Sequence, residues 1–254
     1  MRWSPIVELR QYTLLPGTRD TLIAIFEANF VESQEDAGMK IIGTFRDLDD
    51  PNRFVWLRGF DTMSARASSL DQFYGGPVWQ RHRESANRTM LDSDNVLLLR
   101  PATAGGGFLL EPERLASDTS DNRERGLVEA LVLELEDPPD VDTVNRLTDA
   151  VAAAAAASGG SLLASFVTET SENTFPALPV REGEHVHVCF TGYQNREHDT
   201  ADATQRHAML RDIAARPGLK TPPTVLRLRP TERSLLTGAA APTARPHPES
   251  ARIT

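Results

Sequence analysis

The chain has 254 residues, an ordinary share of apolar and charged side chains and a formal net charge of -9, a balance that weighs against nucleic acid as a partner because a phosphate backbone selects a basic face. Its single cysteine, Cys189, excludes an intrachain disulfide and suits a reducing cytoplasm. No apolar run approaches the roughly 20 residues of a membrane span, and the start, Met1-Arg2-Trp3-Ser4-Pro5, leads into a strand-like segment without the apolar region of a signal peptide.

Residues 6–14 read as a strand with Ile6, Glu8, Arg10 and Tyr12 on one face and Val7, Leu9 and Gln11 on the other. Pro16-Gly17 ends it, and Thr18 is placed to cap a helix that carries Leu22, Ile23, Phe26 and Phe30 at helical spacing and stops at Gly38. Residues 39–46 and 53–60 form a second and third strand, joined as a hairpin through the turn residues Asp49-Asp50-Pro51-Asn52. Residues 64–73 are helical. Tyr74-Gly75-Gly76-Pro77 breaks that helix, and a new one starts at Pro77. Residues 95–100 are a fourth strand. The second half follows the same order: strand 127–135, helix 141–157, strands 161–169 and 184–193, helix 200–215 and strand 224–229.

The two halves also echo each other in sequence. Asn95-Val96-Leu97-Leu98-Leu99-Arg100-Pro101 returns as Thr224-Val225-Leu226-Arg227-Leu228-Arg229-Pro230, and Gln80-Arg81-His82 as Gln205-Arg206-His207. Gly59-Phe60 returns as Gly192-Tyr193, and Val7-Glu8 as Val128-Glu129, with offsets between 121 and 133 residues. Self-similarity over so long a period means two copies of a small domain. Strand, helix, strand, strand, helix, strand is the ferredoxin-like order. The expected fold is therefore α+β, with two tandem ferredoxin-like repeats at 1–102 and 127–232. Residues 103–126 read as a linker containing Gly105-Gly106-Gly107, with a short ordered piece around Phe108. Residues 233–254, rich in Ala, Pro and polar groups, read as a disordered tail.

The entry Val7-Glu8-Leu9-Arg10-Gln11-Tyr12 resembles the start of a NIPSNAP domain. So do the hairpin Ile42-Gly43-Thr44-Phe45 to Asn52-Arg53-Phe54-Val55-Trp56-Leu57-Arg58-Gly59-Phe60 and the following Phe73-Tyr74 and Trp79. The resemblance implies a ferredoxin-like fold of the dimeric α/β-barrel type, in which two four-stranded sheets pair face to face. Relatives by fold include cofactor-free monooxygenases, haem-degrading enzymes and small-molecule isomerases or cyclases. Fold analogy does not choose among these.

Arg10 and Tyr12 share a face of the first strand, as do Phe54, Trp56 and Arg58 on the third. The second half offers Leu131 and Leu133 in place of Arg10 and Tyr12. It offers His187, Cys189 and Thr191 in place of Phe54, Trp56 and Arg58. A buried guanidinium is costly unless paired and matches planar oxyanions in two places. One reading makes Arg10 and Arg58 a grip for anionic oxygen, with Trp56 and Trp79 stacking on a flat substrate. The alternative pairs Arg10 with Glu8 and leaves Trp56 as core. Trp79, His82, Arg83 and Ala86 share a helix face, which offers His82 as general base, with Tyr12 or Tyr74 donating to developing charge. His185, His187 and Cys189 alternate on a strand but lack the companions of a zinc site, and no phosphate-binding glycine motif occurs.

The expected site is therefore His82, Tyr12 and Arg58 as catalytic residues and Arg10, Trp56, Tyr74 and Trp79 as substrate-binding residues, with no metal and no cofactor. The expected function is binding of a small aromatic or polyketide-like molecule and its cofactor-independent proton transfer, cyclisation or oxygenation. A cytoplasmic homodimer or higher homo-oligomer is expected, touching neither nucleic acid nor membrane. The alternative is a non-catalytic oligomeric binding or scaffold protein.

Overall fold

Alternating apolar positions on eight segments, each bounded by turn residues, build eight strands that close on themselves in the computed structural model, which describes residues 4–110, 125–194, 212–213 and 218–238. In chain order the elements are β1 (Ile6–Leu14), α1 (Arg19–Asn29), α2 (Val31–Asp36), β2 (Lys40–Asp47), β3 (Arg53–Phe60), α3 (Met63–Gly75), α4 (Pro77–Asn87), β4 (Met90–Pro101), β5 (Leu127–Leu135), α5 (Val141–Ala157), β6 (Gly160–Thr168), β7 (His185–Tyr193) and β8 (Thr224–Pro230). The helix expected over 200–215 lies outside the described residues except at positions 212 and 213.

The strands follow one another around the barrel as β1-β3-β2-β8-β5-β7-β6-β4, every pair antiparallel. Within each half the order is the same: β4-β1-β3-β2 in the first and β8-β5-β7-β6 in the second. The sheets do not simply face each other, as the resemblance implied. Their edges are hydrogen-bonded, β2 to β8 through Phe45↔Pro230 and β4 to β6 through Arg100↔Val167. Closure leaves no free sheet edge to attract another chain. Registers match between halves as well: Val7 opposes Gly59 and Leu99, and Val128 opposes Gly192 and Leu228. Glycine is required at Gly59 because a Cβ there would lie 2.1 Å from the Ser4 hydroxyl.

The inward faces of the strands meet in an apolar cluster. Val7, Leu9, Val55, Leu57, Leu97 and Leu99 meet Val128, Ala130, Val132, Val186, Val188 and Phe190 in one cluster, so the barrel is filled by side chains. Phe108 of the expected linker enters this core, its ring centroid 5.0 Å from both Phe166 and Phe190. Of the tail expected over 233–254, residues 233–238 are packed against the barrel and the rest lies outside the described residues. Thr231 and Leu236 donate their backbone N–H to Thr44 and Ile42 at 2.8 Å, and buried Leu236 joins the barrel core, so residues 231–236 continue along β2, while Gly238 donates to the Arg125 carbonyl. Alanine and proline content suggested a tail here, but backbone pairing with the stretch of β2 beyond its register with β8 overrides composition.

The outward face of the first half is also buried, beneath α1 to α4. The single helix expected over 18–38 is two, meeting at Phe30, and this leaves Phe26, Phe30, Val31 and Gln34 all turned inward. Gly38, at φ +92, turns the chain from α2 into β2, a conformation disfavoured for residues with a Cβ. Thr62 caps α3 by accepting from the Ala65 N–H at 3.0 Å, and Pro77 opens α4.

Candidate functional site

Because β1 lies beside β3, the register sets Glu8 opposite Arg58, Arg10 opposite Trp56 and Tyr12 opposite Phe54, all on the helix-covered face. Glu8 Oε2 accepts from Arg10 Nη1 at 2.7 Å and from Arg58 Nε at 2.8 Å. Arg66, on the buried face of α3 with Ser69, Leu70 and Phe73, donates from Nε to Glu8 Oε1 at 2.6 Å. Arg10 Nε donates to the Tyr12 hydroxyl at 3.1 Å. Arg58 Nη1 donates to Gln34 Oε1 of α2 at 3.2 Å and lies 3.8 Å from Met39 Sδ. Glu8, Arg58 and Arg66 are wholly inaccessible, and Arg10 is 1% exposed.

Three guanidiniums and one carboxylate leave this buried cluster with two surplus positive charges. Burial acts to raise the Glu8 pKa, but the fields of Arg58, Arg10 and Arg66 outweigh it and hold the carboxyl far below the usual range. Glu8 is thus a fixed anion and not a proton acceptor near neutral pH. Burial raises the Tyr12 hydroxyl pKa against the opposing pull of Arg10. Arg58 Nη2, Arg66 Nη2 and Trp56 Nε1 are buried with no hydrogen-bond partner among the described residues. An unpaired buried donor is costly, and here three occur around a charge excess.

Aromatic rings surround the cations. The Arg58 guanidinium carbon lies 5.1 Å from the Trp56 ring centroid, and that of Arg10 lies 5.5 Å from those of both Trp56 and Tyr12. Trp56 meets Tyr12 at 5.9 Å and Phe26 at 4.8 Å. Phe26 touches Phe30, which touches Trp79, and Trp79 touches Tyr74 at 4.9 Å. Tyr74 and Trp79, both half-buried, therefore form an outer ring layer. Half-buried His82 adjoins Phe30 at 6.4 Å, and no hydrogen bond or ring contact joins it to Arg10, Tyr12 or Arg58. The structure thus gathers Arg10, Tyr12, Trp56 and Arg58 in one cluster, places Tyr74 and Trp79 one layer out, and leaves His82 on the flank.

The second half supplies part of the cover. In the segment between β6 and β7, Asn173 Oδ1 and Thr174 Oγ1 accept from Arg66 Nη1 at 3.0 and 3.2 Å. The Phe175 ring stacks on Tyr74 at 6.0 Å and 26°.

At the matching positions of the second half the cations are gone, while Glu129, opposite Thr191, keeps the place of Glu8. Leu131 opposes Cys189 where Arg10 opposes Trp56, and Leu133 opposes His187 where Tyr12 opposes Phe54. Thr191 stands in place of Arg58. His187 Nε2 lies 3.1 Å from Thr148 Oγ1 and 3.6 Å from Cys189 Sγ. Burial lowers the His187 pKa to about 4 and raises that of Cys189 to about 12, so both are neutral near pH 7. No group of three or more metal-ligating side chains gathers among the described residues. A cavity of about 470 Å³ lies elsewhere in this half, between Pro138, Pro139, Arg146 and Leu219.

Sequence reasoning identified Arg10, Trp56 and Arg58 but missed Arg66 and Gln34. Arg66 was accessible to it, since its spacing to Leu70 and Phe73 repeats at four and seven residues and puts it on the apolar stripe of α3. Asn173 had no such signal, lying in an irregular segment of the other half.

The barrel as a whole is shared with two solved structures. A candidate monooxygenase from Lactobacillus acidophilus NCFM is 17% identical, with 94% of this chain and 98% of that one covered at a TM-score of 0.53. Another candidate monooxygenase, from Fusobacterium nucleatum subsp. nucleatum, is 7% identical, with 91% and 94% covered at 0.51. These likenesses define the fold class alone. An uncharacterised NIPSNAP domain protein from Burkholderia xenovorans is similar over 38% of this chain and 93% of its own, with 18% identity and a TM-score of 0.35. Residues 7–104 match the NIPSNAP family model. No curated protein gives a significant match.

Proposed function

We propose that this chain is a tandem duplicate of a ferredoxin-like domain, with repeats at 1–102 and 127–232, whose NIPSNAP half binds a small organic molecule bearing anionic oxygen. The observation that carries this reading is the single carboxylate of Glu8 set among three buried guanidiniums. A cluster kept only for stability would be expected to balance its charge or be replaced by apolar groups, which often stabilise. The loss of those cations at the matching positions of the second half supports the same view.

The reaction proposed is a cofactor-independent conversion of an aromatic or polyketide-like compound by proton transfer, cyclisation or oxygenation. Arg10 and Arg58 hold oxygen that becomes negative in the transition state, where preorganised cations act most strongly. Trp56 and Trp79 stack on the ligand, and Tyr12 and Tyr74 orient it. Glu8 is locked as an anion, so His82 is the group that moves protons, on a ligand long enough to reach α4. Replacing Arg58 by Met and His82 by Gln singly, then titrating aromatic and polyketide-like acids by heat shift, tests this. Arg58→Met should abolish the response of a binding compound, and His82→Gln should keep binding but slow turnover. Unchanged responses in both folded variants would end the proposal.

A second reading has one observation in its favour. The layer around Trp56 is filled by side chains, Trp56 itself being 2% exposed, as suits a non-catalytic binding or scaffold protein. Such a protein would act as a homo-oligomer, whose mass light scattering after gel filtration would report. The cytoplasm is the proposed location. Among the described residues no helix is long and apolar enough to cross a membrane.

A further inference from the structure

The buried cations are not set by the first half alone. Asn173 is the pivot of the segment that covers them. Its Oδ1 accepts from Arg66 Nη1 and from the Phe175 N–H at 3.1 Å, while its Nδ2 donates to the Leu178 carbonyl at 3.0 Å. One side chain therefore links the fold of the segment to the direction of the Arg66 guanidinium. Thr174 Oγ1 adds a bond to the Met63 carbonyl at 3.1 Å, and Phe175 and Leu178 pack on the aromatic layer. Ser171, Glu172, Thr174, Pro176 and Ala177 are exposed, so the cover is thin on the side away from the barrel.

Building on the reading above, we infer that the ligand is a carboxylate on a flat apolar body, its oxygens taken by Arg58 Nη2, Arg66 Nη2 and Trp56 Nε1, and that Asn173 of the second half is the positioning residue for Arg66. Three donors stand unpartnered there. A carboxylate brings two oxygens with about four acceptor sites, which three N–H groups serve well. A phosphate brings more oxygens than these donors meet. One of the two surplus charges is then answered by the carboxylate. The other remains for a second oxygen that turns negative during reaction. The flat body follows from the rings of Tyr74, Trp79 and Phe175, which lie together in the layer outside the cations.

The test uses the full chain with ¹⁵N-labelled tryptophan, whose three indole signals are assigned through Trp56→Phe. Benzoate, benzamide and inorganic phosphate are titrated at constant ionic strength. Benzoate should move the Trp56 indole proton downfield and raise the melting temperature, and benzamide and phosphate should do neither. Asn173→Ala should weaken benzoate by about 10- to 100-fold, the span of a hydrogen bond to a charged group. Asn173→Asp keeps the acceptor and adds charge beside Arg66. It should hold stability near the parent's, the added charge offsetting the lost bond from Nδ2 to the Leu178 carbonyl, while weakening benzoate further, a divergence that a purely structural role would not produce. Equal responses to benzamide, or a Trp56 response to phosphate alone, would overturn the ligand class. Full benzoate affinity in Asn173→Ala would overturn the positioning role. Silence towards all three probes would sink this inference, and a heat-shift response to other acids that is lost in Arg58→Met would then show the broader reading still standing.

Discussion

Replacing Glu8 by Gln keeps the side-chain shape and removes the carboxylate that Arg10, Arg58 and Arg66 share. The buried excess rises from two positive charges to three. Breaking a buried ion pair from one side costs about 3–5 kcal/mol, and the amide oxygen still accepts one or two of the former bonds, so the loss should fall within that span. For a chain of this size each kcal/mol lowers the melting point by about 2–4 °C, which gives a fall of about 6–20 °C. The loss is large against a total stability of about 5–15 kcal/mol. The matched control is Arg10→Met, which lowers the excess to one charge and should cost less than half as much. Thermal unfolding followed by circular dichroism at pH 7 in low salt reads both. A Glu8→Gln melting point within about 2 °C of the parent, or an Arg10→Met loss equal to it, would refute the surplus-charge argument. The sign with pH follows from the lowered Glu8 pKa. Its contribution is complete above the ordinary carboxyl value of about 4.3 and disappears as the pH falls towards the folded-state value. Glu8→Gln should therefore flatten the acid limb of the stability profile.

Phe108→Ala should cost about 3–5 kcal/mol in urea unfolding despite lying between the halves, because the ring sits among Phe166 and Phe190 inside the barrel; a loss under about 1 kcal/mol would place that ring outside the core in solution. His187 is held neutral by burial, with a pKa lowered to about 4, so the unfolded chain takes up a proton that the folded one refuses between about pH 6.5 and 4. Its contribution is present above about pH 6.5 and lost as pH falls, by about 3 kcal/mol at most. His187→Gln should reduce that slope in urea midpoints measured across this range, and identical slopes in parent and variant would contradict it.

Period-two alternation in β1, β3, β5 and β7, the glycine and proline breaks, and the echo between halves were legible along the chain, because each depends on neighbours a few residues apart or on direct self-comparison, whereas Thr18, read as a cap, instead donates its hydroxyl to the Leu15 and Thr89 carbonyls. They were enough to place Arg10, Tyr12, Trp56 and Arg58 on matched strand faces and to see that Leu131, Cys189 and Thr191 replace three of them. The break at Phe30 was not legible, since no proline or glycine marks it and the bend answers to packing against the sheet. Nor was the docking of 231–238, which composition disguised as a tail.

What the amino-acid order determined by itself was the set of strands, the alternating faces of β1 and β3, and the contrast between Arg and aromatic residues on those strands and the smaller groups at the matching positions of β5 and β7. Tertiary structure alone decided the rest. Glu8 meets Arg58 and Arg66 across separations of 50 and 58 residues, and Arg66 meets Asn173 across 107. Such meetings depend on β1 lying between β3 and β4 and on the joining of both sheet edges into a barrel, which carries a segment of one half over the other. Local propensity extends over a few residues. Strand order and closure act across the whole chain, and at this site they determine which charges are shared and which donors are left without a partner.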